Sequence, residues 1–496
     1  MGVIVKQSIK GSIYSYIGAA IGFVNTALLF PLYFSTGQIG LLFLLISVSL
    51  VFAQLFSLGF GGVANRFFPY FINDKNGHNG FPFIMLATTI TGILVFLVVF
   101  YFISPVIIEQ NSNSPEFVHN VNLIIYITII EIFFKMFNSY TTVLLNSVIG
   151  TFYKELVLRL FILLLIVAFI LNIIDYDAFL YLYILAQAIP VIALFIYLLK
   201  KRELKLKPKL KFITPHLKKA MIYMALVSSI TGLTGIAYQS IDKYMINSMI
   251  DLSNTGVYTI AFFLGSIIGL PARSLKKIAS VIIARAWKED DLGTVKDIYV
   301  KSSLSLTVIG SFIFLGIMIN IDNVIDILGS DYANSKLVIF FVGLSFLIDL
   351  IFGVNYHVIS NSRYYQYIAY LMGIFLLIVV VSNYFLIPKY GIQGAAFASM
   401  ASTLFYSLLK YLFVLFKFKI QPFCVKHFVF LAIVAVLFAV FYSLPSFVSN
   451  PYVNIIIKST IFTFVFIPSA YFLRISDDIN DKILWALGFL KKGVKR

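Results

Sequence analysis

Residues 39–62, IGLLFLLISVSLVFAQLFSLGFGG, run without a single charged side chain. A stretch near 20 apolar residues is what an α-helix needs to cross the hydrocarbon core of a bilayer. The gap before it, Ser35 to Gln38, carries no charge, whereas the segment after it carries Arg66 and Lys75. The same contrast recurs along the chain. About fourteen such spans are expected, at 11–34, 39–62, 81–104, 118–146, 155–173, 177–200, 217–241, 253–272, 298–320, 334–358, 364–387, 391–416, 426–444 and 452–473.

Positive charge sits in every second gap. Lys6 and Lys10 precede the first span; Arg66 and Lys75 follow the second; Lys154 and Arg159 follow the fourth. The gap 200–219, KKRELKLKPKLKFITPHLKK, holds nine bases against Glu203. Arg273, Lys276, Lys277, Arg285, Lys288 and Lys296 follow span eight, Arg363 follows span ten, and Lys417, Lys419 and Lys426 follow span twelve. The tail ends in Lys491, Lys492, Lys495 and Arg496. The alternate gaps hold acids instead: Glu109 and Glu116, then Asp175 and Asp177, then Asp251, then Asp322, Asp326 and Asp331, with Lys336 and Lys389 as the exceptions. About 32 of the 38 bases fall on the side of the amino terminus, which the positive-inside rule makes cytoplasmic. Both termini are therefore expected inside a bacterial cytoplasmic membrane.

Composition excludes other classes. At 60% hydrophobic and 12% charged residues, a soluble chain of 496 residues could not cover its core with polar surface. The net charge of +17 is scattered over short connections rather than gathered on one folded surface, so it reads as topology signals facing anionic lipid and not as a nucleic-acid interface. One cysteine, Cys424, rules out an intrachain disulfide and a cysteine metal cluster. The run from Ile13 to Tyr33 is too long for a signal h-region and reads as a permanent first span. There is no Walker-type phosphate loop, no histidine pair at metal spacing and no Gly-x-Ser-x-Gly elbow, so no enzyme constellation and no cofactor is expected.

Pro208 and Pro215 oppose one continuous helix through the basic gap, which reads as a linker at 201–216. The expected architecture is all-α and polytopic. It comprises a six-helix lobe (1–200), a second six-helix lobe (217–420) related to it as a parallel repeat around a central cavity, and two added spans with a basic tail (421–496). A faint echo supports the repeat: LLFPLYFSTGQIGLLFLLISVSLVFAQL at 28–55 and INSMIDLSNTGVYTIAFFLGSIIGL at 246–270 each place a polar turn and a glycine, Gly40 or Gly256, before a long apolar run.

Three local patterns then carry a resemblance: GQIGLLFLLISVSLVFAQLFSLGFGGVANRFFPY at 37–70, YQSIDKYMINSMIDLSNTGVYTIAFFL at 238–264 and YGIQGAAFASMAS at 390–402. In this order the chain resembles the Wzx-like oligosaccharide flippases, the polysaccharide-exporter branch of the superfamily that also holds multidrug exporters and the peptidoglycan lipid flippase. The resemblance covers nearly the whole chain. It implies a polar cavity between two lobes. It also implies movement of an undecaprenyl-diphosphate-linked oligosaccharide, an O-antigen, capsule or exopolysaccharide unit, from the inner to the outer leaflet by alternating access.

Charges inside spans are costly, and each needs a reason. Glu131 and Lys135 sit four apart in span four and share a helix face. They are either a self-neutralised pair or a cavity base with its supporting acid, Lys135 meeting the diphosphate. Arg66 is either a topology anchor or a first phosphate contact at the cavity mouth, where a guanidinium suits phosphate oxygens. Gln54, Asn25, Asn138 and Gln187 either bond sugars or hold helices together. Asp242, with Lys243 late in span seven, and Asp349 in span ten are candidates for coupling to a proton or sodium gradient, against a helix-end or packing reading. His357 and Asn355 read as packed or hydrogen-bonded residues, Lys410 and Lys458 as bases that snorkel or line polar grooves. Pro31, Pro190 and Pro468 are candidate bends. The expected partners are the lipid-linked glycan, membrane lipid and, functionally, glycan polymerase machinery; no nucleic acid is expected, and a monomer suffices. The competing readings are a multidrug exporter of the same fold, a lipid II flippase, and a membrane glycan polymerase or ligase. The last class generally needs a substantial outer loop, and the longest outer gap is only about 13 residues.

Overall fold

The computed structural model describes residues 3–73, 77–209, 212–473, 475 and 479–481. Lys75, Lys211 and the tail bases Lys491, Lys492, Lys495 and Arg496 lie outside them, as does the side chain of Lys6. Among the described residues helix is the regular secondary structure and no strand occurs.

Among the described residues twelve helices are long and apolar enough to cross a membrane. We number the spans α1 (Lys10–Tyr33), α2 (Thr36–Phe71), α3 (His78–Gln110), α4 (Leu123–Val143), α5 (147–170), α6 (Tyr176–Lys200), α7 (Pro215–Met249), α8 (Leu252–Gly269), α9 (Leu292–Met318), α10 (Ser330–Ile351), α11 (367–390), α12 (391–418), α13 (Val425–Tyr442) and α14 (Pro451–Phe472). Two steps take twelve to fourteen. The helix Tyr367–Phe418 has 52 residues, a length of about 78 Å, roughly twice what a bilayer needs. It is interrupted at Gly391, where φ is 59° and ψ −142°, three residues after Pro388. No side chain but hydrogen tolerates that backbone easily, so the chain reverses there into two spans. The stretch 147–170 counts as the other, because it is continuous helix through a π-turn at Phe152–Val157.

One helix falls in a gap that the apolar lengths leave open. Ala272–Lys288, ARSLKKIASVIIARAWK, carries five bases and buries Ala272, Ala279, Ile283 and Ala286 on one face. Asp291 then caps α9: its carboxylate accepts from the backbone N–H and the hydroxyl of Thr294, bonds that hold this exposed group below the ordinary carboxylate range.

The chain forms two compact units, 1–260 and 261–496. The first includes α7 and the opening of α8 together with α1 to α6. Its aromatic core includes Phe60, Phe68, Phe71, Phe81 and Tyr140. Gly59, at φ 62°, lets α2 bend between Phe56 and Phe60, and a Cβ there would run into the carbonyl of Ala225 on α7. Near the start of α2, Gly40 lies against the backbone of Leu252 and Gly256, and Gly256 against Thr36 and Gly40. The hydroxyls of Thr36 and Ser253 bond at 2.6 Å beside that crossing. The two echoed sequence segments therefore meet glycine to glycine. The second unit is centred on Ile283, Val295, Tyr299, Val358 and Val414.

Candidate functional site: a polar ladder in the first unit

Five helices contribute to a band of polar groups inside the first unit. On α4, Glu131 is buried, at 5% exposure. Its carboxylate accepts from Lys154 on α5, not from Lys135. The expected i,i+4 pair is thereby corrected: each member is taken by another helix. Lys135 donates to the Oε1 of Gln54 on α2. The reason lies in packing. Gly232 on α7 has no side chain at the spot where a Cβ would overlap the Gln54 amide, so Gln54 is held within reach of α4.

The π-turn at Phe152–Val157 widens α5 where Lys154 leaves it, and such turns recur at functional sites. The Lys154 ammonium lies 4.8 Å from the Phe134 ring centre and also donates to Gln187 Oε1 at 3.4 Å. Gln187 stands where α6 breaks before Pro190, which has no N–H to continue the first helical segment. One turn on, Arg159 pairs with Glu155 at 2.6 Å and donates to the carbonyl of Gly18 on α1 at 2.5 Å. Gly18 and Gly22 make room for α5, since a Cβ on either would collide with Glu155 or Arg159. Asn25, 3% exposed within a second π-turn at Val24–Leu29, donates to the Arg159 carbonyl at 3.0 Å. Asn25 therefore joins two helices.

The ladder holds three bases, Lys135, Lys154 and Arg159, against two acids, Glu131 and Glu155. Lys154 and Arg159 read from sequence as cytoplasmic gap markers. The depth of Lys154 is different: it meets Glu131 across the α4–α5 hairpin, the two lying nine and fourteen residues from Leu145 in the turn, which is on the order of 14–21 Å along the helices. Asn138 sits beside Gly150 and accepts through its carbonyl from Thr141 and Thr142. Arg66 is exposed on the helix after the Gly59 bend, its guanidinium 3.9 Å from Met224 Sδ and 6.0 Å from the Phe67 ring centre.

The two carboxylate candidates sit elsewhere. Asp242 is 1% exposed and accepts from the Tyr258 hydroxyl at 2.5 Å, so the helix-end explanation for it is corrected: α7 continues to Met249 and Asp242 is inside. Lys243 reaches Ser47 at 3.4 Å and stands 5.9 Å from the Phe43 ring centre. Asp349 lies in the second unit, its two oxygens engaged by Lys276 at 2.5 Å and Lys410 at 3.5 Å. Two ammonium groups thus face it, one from the basic helix Ala272–Lys288. Lys410 does not snorkel; it is 2% exposed and lies 4.1 Å from the Tyr406 ring centre. Among the described residues no cluster of three metal-ligating side chains occurs.

These features define a multi-pass α-helical membrane protein with charged residues paired inside its helical units. No family model matches the chain, and no curated protein matches it in sequence. Solved structures do match. Lipid II flippase MurJ in an inward closed conformation aligns with a TM-score of 0.74 at 14% identity, over 94% of this chain and 99% of that one. An inward-facing multidrug resistance MATE family transporter of the MOP superfamily aligns at 0.59 and 13% identity, over 83% and 97%. An outward-facing MATE transporter of the same superfamily aligns at 0.54 and 12%, over 82% and 94%. The chain has the fold of these flippases and transporters.

Proposed function

We propose that the chain is a lipid flippase that carries an undecaprenyl-diphosphate-linked oligosaccharide from the inner to the outer leaflet by alternating access. The observation that carries this reading is the excess of base over acid in the ladder of the first unit. A diphosphate carries about two negative charges, and a low-dielectric interior strengthens its attraction to Lys135, Lys154 and Arg159. Lys135, bonded to a neutral amide and not to a carboxylate, is the ammonium most available to an anion. Arg66, exposed beyond the bend of α2, is the outlying phosphate contact, and Gln54 and Asn138 are candidates for the sugar. A multidrug exporter of the same fold is the second reading. The MATE alignments leave unmatched a length close to that of 421–496, whereas the MurJ alignment leaves 6%. That difference in coverage favours lipid-linked cargo.

Deletion of the gene, in a background without a redundant flippase, tests the reading. Lipid-linked oligosaccharide should accumulate facing the cytoplasm and return to the outer leaflet when the gene is restored. Normal externalisation of every glycan in the deletion strain, with drug sensitivity rising instead, transfers the chain to the exporter reading.

A further inference from the structure

At the basic end of the second unit, the end of helix Ala272–Lys288, the turn at 361–363 and the last turn of α12 enclose a cavity of about 490 Å³. Lys288, Arg363 and Lys417 line it against one carboxylate, that of Asp290. Among the described residues none of the three cations is ion-paired, and all three are exposed. They are nonetheless positioned. The Arg363 guanidinium lies 5.0 Å and the Lys417 ammonium 5.7 Å from the centre of one ring, that of Tyr364. The floor is rigid: Trp287 and Phe418 pack with ring centres 4.8 Å apart, and the Trp287 indole N–H donates to the Val358 carbonyl at 3.0 Å. Asn361 donates to the Ser280 carbonyl at 3.1 Å, which fixes the turn to the helix. Cations held on a preformed wall bind an anion without first paying to order themselves.

Two independent markers give the depth of this cavity. From the reversal at Gly391 to Phe418, α12 rises about 40 Å, the distance from one polar boundary into the headgroup layer on the other side. Tyr365, Tyr367 and Tyr370 are 42, 45 and 70% exposed at the same end, as in the aromatic belt at headgroup level. A cationic cavity at that depth faces lipid phosphates rather than bulk solution.

We propose that this cavity binds the phosphate of an anionic phospholipid headgroup. Arg363 supplies the bidentate contact, and Lys288 and Lys417 flank it as point charges. The proposal is independent of the cargo reading, because these residues belong to the second unit and the ladder to the first. It implies that leaflet composition tunes the protein through a resident lipid.

Native mass spectrometry of the purified full-length chain tests it, with phosphatidylglycerol, phosphatidylcholine and inorganic phosphate added separately and in competition. One phosphatidylglycerol should be retained where phosphatidylcholine is lost. Each base near a headgroup contributes a factor of about five, so K288A/R363A/K417A should weaken retention on the order of a hundredfold. R363K should keep more of it than R363A, and K200A/K201A, at the start of the basic linker of the first unit, should keep all of it. Wild-type retention in the triple variant overturns the proposal. So does an equal loss in K200A/K201A, which marks non-specific charge. Displacement of the lipid by millimolar inorganic phosphate as readily as by lipid itself overturns the lipid assignment in favour of a free-phosphate site. If the triple variant elutes aggregated, R363Q alone is read against the same outcomes.

Discussion

Glu131 and Lys135 illustrate how a residue pattern and a contact part company. Spacing of four on one helix permits pairing, but the better partner for Glu131 comes from α5 and the better partner for Lys135 from α2. Removing one member of a buried pair leaves the other charge without its partner, at a cost of about 3 kcal/mol. Glu131→Gln should therefore lower thermal stability in detergent by about that amount, and Glu131→Gln/Lys154→Gln should restore most of it. A double variant as unstable as the single would show that the pair does not exist. Lys135→Ala should leave insertion and yield intact while abolishing complementation of glycan export, with Lys135→Arg retaining part of it; unchanged surface glycan in Lys135→Ala would remove this residue from the site. Asp349→Asn should destabilise the second unit, since Lys276 and Lys410 would then face each other without their shared carboxylate, and a melting curve reports it. Part of this site was legible. A charge in mid-span, such as Glu131, Lys135, Asp242 or Asp349, stands out because hydrocarbon penalises it. Lys154 and Arg159 did not stand out, because a base within a few residues of a hairpin counts as a topology mark until its depth is known.

At the scale of elements, the glycines do what no other residue type can at two bends. Gly59 combines φ 62° with a backbone neighbour at its Cβ position, so Gly59→Ala meets both a strained conformation and the Ala225 carbonyl. It should cost about 2 kcal/mol or more and shift proteolytic sensitivity toward the α2 bend; a melting point equal to wild type would mean that α7 yields there. Gly391 separates α11 from α12 by the same freedom, and apolar length alone already demanded a break in that stretch. Length is why the spans could be read: twenty apolar residues have few other uses. The helix Ala272–Lys288 escaped that reading, being amphipathic and basic rather than apolar. The π-turns in α1 and α5 leave no mark in the residue types at all, since one extra residue in a helical turn changes geometry and not composition.

For the whole molecule, coupling and direction are measurable without reference to any one site. If Asp242 exchanges an ion during the cycle, collapse of the proton or sodium gradient should stop export in cells with normal levels of the protein. Export that continues at the same rate after both gradients are collapsed removes that role. The architecture that makes a cycle feasible is already present where the two echoed segments cross. Gly40 and Gly256 place main chain directly on main chain, with no ridge of side chains for one helix to climb over when it tilts on the other. Such a contact behaves as a bearing: it fixes a point and leaves an angle open. A leucine at either position would turn the bearing into a tooth and stall motion at that crossing, even where the helices themselves still fold.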